Sequence, residues 1–176
     1  MNDHVARMLR DAQDRLNDAD ILAQSLRASS GSAPLLRILA LEVLLKAAQV
    51  AALGQYKRSH NYSALWAALP PAAQASVLVM ANQRFPGHAD LSDPNALLKD
   101  WEFAFTKGRY YFELYETYTL EEQRALGELW VSLGAPEHEA DVRFHPFELQ
   151  ALTEGLVAYI ENAPYRSLHP TAFAAS

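Results

Sequence analysis

The chain has 176 residues, 50% hydrophobic and 20% charged, with a formal net charge of -6. That composition excludes a disordered chain and suffices for one domain with a real core, while the acidic balance confines any contact with nucleic acid to a local patch. Cysteine is absent, which excludes disulfides and thiolate metal sites and fits a reducing compartment.

The opening stretch, MNDHVARMLRDAQDRLNDAD, is polar and mixed in charge, unlike a signal peptide. Over residues 3–28, Val5, Met8, Leu9, Ala12, Leu16 and Ala19 recur at spacings of three and four, followed by Leu22, Ala23 and Leu26. That periodicity predicts an amphipathic helix. A turn over 28–31 then sets it antiparallel to the next helix.

The stretch from Ser32 to Gly54 is apolar on nearly every side, which predicts a central helix buried against several neighbours. Ser32 and Pro34 suit its first turn and Gly54 suits its end. Arg37, Glu42, Lys46 and Gln49 break the run. Glu42, Lys46 and Gln49 fall on one helical row with Leu35, Leu39 and Leu53. Because Glu42 and Lys46 intrude, even this stretch falls short of a membrane span, and a soluble cytoplasmic protein is expected.

The polar connector QYKRSHN follows, carrying Lys57, Arg58 and His60, the densest local positive charge in the chain. Asn61 or Ser59 suits the cap of a short helix that Pro70 and Pro71 end. Residues 72–83 read as a further helix, and 84–95, with two prolines and a glycine, as the longest clear loop. Over 95–117 the spacing predicts one strong helix. Trp101, Ala104, Phe105, Gly108, Phe112 and Tyr115 form its core stripe, with Glu102, Arg109, Glu113 and Glu116 beside it. Gly108 inside this helix costs ~1 kcal/mol relative to alanine, which points to a close approach by another helix or a ligand. Thr119 and Glu122 make a capping box for a helix running through Leu133 and closed by Gly134. A last helix spans 146–161 before Pro164.

No strand-like alternation appears. The fold class is all-α, an up-and-down helical bundle of five to seven helices. Residues 1–163 are expected as a single helical bundle domain and 164–176 as an irregular C-terminal tail.

Little conventional catalytic machinery is present. There is no phosphate-binding glycine loop, no nucleophile elbow and no His-Glu-x-x-His. His138 with Glu137, Glu139 and Asp141 is the one imidazole and carboxylate cluster, but it lies in a loop without a helical partner histidine, so no metal and no cofactor are expected. Glu42 and Lys46 are four apart with the acid first, which suits either a self-satisfied structural pair or part of a polar site. His60 reads as a capping or hydrogen-bonding histidine, or as a base. Arg109 and Glu113 read as a helical ion pair, or as a phosphate-holding arginine oriented by its acid. Tyr110, Tyr111, Tyr115 and Tyr118 read first as core or interface aromatics and second as a base-stacking platform.

Three of these groups occur in a suggestive order: Leu-Glu-x-x-x-Lys-Ala at 41–47, Ser-His-Asn-x-x-x-Leu at 59–65, and Arg-Tyr-x-x-Glu at 109–113. Over about residues 5–162 the chain thereby resembles the HEPN family, the higher eukaryote and prokaryote nucleotide-binding helical bundles. The resemblance implies a helical bundle, usually a homodimer, with a polar site near the dimer interface. Members include metal-independent endoribonucleases of toxin–antitoxin and phage-defence systems, and non-catalytic modules that bind RNA or a nucleotide, often beside a nucleotidyltransferase. It implies Glu42, Lys46, His60, Arg109, Tyr110 and Glu113 as ligand-binding residues. Nuclease members carry an arginine followed by a histidine after about four to six residues on a late helix. Here Arg109 is followed by Tyr-Tyr-Phe-Glu-Leu-Tyr. The resulting expectation is a HEPN-like domain that binds RNA or a nucleotide without catalysis. Alternatives are an endoribonuclease of altered motif working through Lys46, His60 and Arg109, and a structural protein-interaction module.

Overall fold

The computed structural model describes residues 3–25, 31–136 and 139–163. Their regular structure is wholly helical. Seven helices exceed one turn: α1 (Asp3–Ser25), α2 (Ser32–Leu53), α3 (Tyr62–Ala67), α4 (Pro71–Arg84), α5 (Pro94–Thr106), α7 (Leu120–Ser132) and α8 (Pro146–Asn162). A single helical turn, α6 (Tyr111–Leu114), lies between α5 and α7. No helix among the described residues is long and apolar enough to cross a membrane.

The element ends follow from their residues. Gly54 adopts the left-handed conformation that ends α2, with φ 78°, and its N–H returns to the Val50 carbonyl. Gly31 stands at the N-cap of α2, and Ser32 and Pro34 fall in its first turn as expected. Asn61 caps α3 by accepting from the Ala64 N–H, and Asp93 caps α5 by accepting from the Ala96 N–H. Pro71, Pro94 and Pro146 open α4, α5 and α8, where a missing N–H costs nothing. The Thr119–Glu122 capping box is formed in full.

Helix α2 is the hub, packing against α1, α8, α3 and α5, while α4 packs on α8. Ile38, Leu41, Leu44 and Leu45 of α2 are fully buried, with Leu65, Leu98, Trp101, Leu152 and Leu156 around them. Helices α1 and α2 run antiparallel. Asp20, late in α1, pairs with Arg37, early in α2, and His4 at the other end stacks on Tyr56 just beyond α2.

Three expectations change. The helix expected over 95–117 stops at Thr106; Gly108–Tyr110 form a 3-10 turn and α6 adds one turn more. Gly108 favours the break because it is a weak helix former followed by bulky aromatics, and the Val142 side chain lies beside it. A Cβ there would lie 3.3 Å from Val142 Cγ1, so the close approach comes from a loop. The core stripe ends with the helix: Trp101 and Ala104 are buried, but Phe112 is 71% exposed. Tyr110, Tyr111 and Tyr118 are exposed too, so they are not core residues. The ends of the expected first helix and first turn, residues 26–30, and the expected tail over 164–176 lie outside the described residues.

Helix α8 meets α4 at Gly155, where an added Cβ would lie 2.6 Å from the Val77 carbonyl oxygen and 2.8 Å from Ala81 Cβ. Only hydrogen fits between the two backbones. Gly155→Ala is therefore expected to destabilise the protein by about 1–3 kcal/mol, overriding the gain in helix propensity. Chemical denaturation of the variant checks this; unchanged or raised stability contradicts the close crossing.

Candidate functional site

The site is built on the polar row of α2. Gln49, buried in the core, donates from Nε2 to the Leu65 carbonyl at 2.7 Å and accepts from the Lys57 backbone N–H at 2.8 Å. It thereby ties the connector and α3 to the end of α2. One turn earlier, Lys46 Nζ donates to Glu42 Oε1 at 2.7 Å, and His60 Nδ1 lies 3.0 Å from the same oxygen. A carboxylate only accepts, so Nδ1 carries the proton. Glu42 is 4% exposed, whereas the His60 side chain is 84% exposed. The buried carboxylate therefore holds the imidazole at the surface.

Tyr62 closes the site from beneath, with its ring fully buried. Burial raises its phenol far above the ordinary tyrosine value; the Glu42 and Glu102 charges and contact with Glu42 push the same way, and Arg109 opposes them. Neither the Tyr62 hydroxyl nor Glu42 Oε2 has a well-aligned hydrogen-bond partner. A buried carboxylate oxygen short of well-aligned donors is costly, which makes the charges around it matter more.

Glu102 of α5 joins from the far side. Its Oε1 accepts from Asn61 Nδ2 at 3.1 Å and its Oε2 from the Tyr62 backbone N–H at 3.1 Å, so it braces the start of α3. The Tyr62 and Phe105 rings lie 6.4 Å apart, and the Arg109 guanidinium sits 5.3 Å from the Phe105 ring centre and 4.8 Å from that of Tyr110. Lys46 also reaches an aromatic face, 5.9 Å from the centre of Tyr56.

Glu42, Lys46 and His60 thus meet directly, and Arg109, stacked on Tyr110, lies within electrostatic reach of the same Tyr62. Glu113 does not join them: the break after α5 removes the four-residue helical register, and among the described residues no ion pair links it to Arg109. Gln49 and Glu102 were not picked out by sequence as site residues. Gln49 shows in the sequence as a polar break in the apolar row, and Glu102 only as one of the polar residues beside the core stripe expected over 95–117.

Of the expected imidazole and carboxylate cluster, Glu137 and His138 lie outside the described residues, and Asp141 accepts a hydrogen bond from the Tyr115 hydroxyl. No group of three metal-ligating side chains occurs among the described residues. No protein-family model, curated protein or solved structure matches the chain.

Two outcomes follow from this geometry. Lys46→Met strands a buried carboxylate and is expected to cost about 3–5 kcal/mol, whereas adding Glu42→Leu restores most of the loss; a double variant as unstable as the single contradicts the pairing. The second concerns alkaline pH. The folded Tyr62 phenol stays protonated where an unfolded tyrosine, of ordinary value 10.0, ionises. Its contribution is therefore full below that pH and is lost as pH rises, at up to about 1.4 kcal/mol per pH unit for one proton. Tyr62→Phe should flatten the decline in urea midpoint above about pH 10.

Proposed function

We propose that the chain is a HEPN-like helical domain that binds RNA or a nucleotide at the edge formed by the connector and the turn after α5, without catalysing a reaction. The observation that carries this reading is the concentration of surface cations beside aromatic rings in an otherwise acidic chain. Lys57, Arg58, His60 and Arg109 are exposed, with Tyr56 and Tyr110 partly open next to them. Cations hold phosphate and open ring faces take bases, so this edge suits a single-stranded or mononucleotide ligand. The ordering of the motifs at 41–47, 59–65 and 109–113 supports the same assignment. A toxin–antitoxin or phage-defence setting, a homodimer and a nucleotidyltransferase partner belong to the proposal through that resemblance. Exposed Leu120, Leu129, Val131 and Leu133 provide apolar surface for self-association.

A second reading is a metal-independent endoribonuclease, favoured by the pairing of His60 Nδ1 with Glu42. That contact orients the imidazole and leaves its other nitrogen for proton transfer, with Lys46 on the same carboxylate as a cation to hold a phosphate.

One experiment separates these readings. The protein is titrated into labelled single-stranded RNA without metal ions, beside a His60→Ala, Arg109→Ala double variant. The proposal expects salt-sensitive binding, weakened at least about tenfold in the variant, and intact RNA throughout. Cleavage by the parent protein alone establishes the second reading. Equal behaviour of both proteins towards RNA and mononucleotides overturns both and leaves a structural interaction module.

A further inference from the structure

A second hollow lies apart from the Glu42 network. The turn at Tyr111–Leu114, helix α7 and the segment 139–142 enclose an open cavity of about 670 Å³, within the range of small-ligand sites. Its walls are aromatic. The Tyr111 and Tyr115 rings are 4.8 Å apart and tilted by 50°, and Tyr115 and Tyr118 are 6.1 Å apart and tilted by 56°, while Trp130 contributes from α7.

The polar groups are arranged asymmetrically. The Tyr111 hydroxyl donates to that of Tyr115 at 3.3 Å, and Tyr115 donates to Asp141 Oδ2 at 3.1 Å, so the phenol protons run towards the carboxylate. Contact with Tyr111, burial and the bond donated to Asp141 hold the Tyr115 phenol above its ordinary value. Asp141 and Glu139 place two carboxylates on the lining, and no lysine or arginine lines it among the described residues.

This charge pattern selects a ligand class. Phosphates and carboxylates are repelled. A small metal ion needs more oxygen ligands than two carboxylates give, and no group of three metal-ligating side chains occurs among the described residues. A bulky cation with a weakly held hydration shell is attracted by both the ring faces and the acids. Gly127 adds an independent sign. It lies inside α7 where glycine is unfavourable, no atom lies within 4 Å of where its Cβ would be, and it lines the cavity. Glycine there leaves the hollow open.

We propose that this cavity binds an organic cation of the quaternary ammonium class, seated among Tyr111, Tyr115, Tyr118 and Trp130 and balanced by Asp141. The site is independent of the nucleotide-binding reading.

The test is titration of the full chain with choline and with its neutral analogue, in which carbon replaces the tetrahedral nitrogen. Tryptophan emission reports the site, since Trp66 and Trp101 are buried and Trp130 is 37% exposed. Choline should give a saturable change, with the analogue at least about tenfold weaker. Gly127→Leu should abolish the response while retaining or raising the melting temperature, and Asp141→Asn should weaken choline several-fold more than the analogue. Equal binding of both compounds, no saturable response, or undiminished binding by Gly127→Leu overturns the proposal.

Discussion

A carboxylate set into the apolar row of the central helix must be answered by donors, and most of the local architecture is that answer. Glu42 cannot leave α2, so Lys46 extends along the helix to meet it and His60 is drawn in from the connector. Gln49 places the same demand one turn further on, and both of its polar ends are met by the connector and α3. The residues after Gly54 lack regular structure, yet these contacts fix their path. From there Asn61 and the start of α3 engage Glu102, which carries the constraint to α5. The basic edge therefore rests on a buried scaffold.

The molecule divides in how it is held together. Helices α1, α2, α3, α4, α5 and α8 share one apolar cluster, including the fully buried Trp101, Leu98 and Leu152. The chain from Gly108 through α7 contributes no buried residue of its own to that cluster. Its aromatics instead pair with one another and with the guanidinium of Arg109. The loop that follows α7 is tied back to the cluster, since the Trp101 indole N–H donates to the Phe144 carbonyl just ahead of α8.

Much of this was legible in the residues themselves. The apolar run from Ser32 to Gly54 and the Thr119–Glu122 box announce their helices, because periodicity and capping are local properties. The shared row of Glu42 and Lys46 likewise follows from helical pitch. The break at Lys107 was hidden because the aromatic run after Gly108 continues the helical spacing, and the side chain beside Gly108 is Val142, distant in sequence. Glu102 was hidden for the same reason: its partners lie 40 and 41 residues away. Gly155 looks like a weak point in a helix until Val77 and Ala81 are seen against it.

Helix α7 has its own cap, closes at Gly134 with φ 88°, and buries none of its residues. Detaching it would expose little that water does not already reach, so its amide hydrogens should exchange through a shallow opening that leaves α2 shut. A molecule lodged between α7 and the tyrosines would then act as a removable wedge, fastening an outlying helix to a body that stands without it.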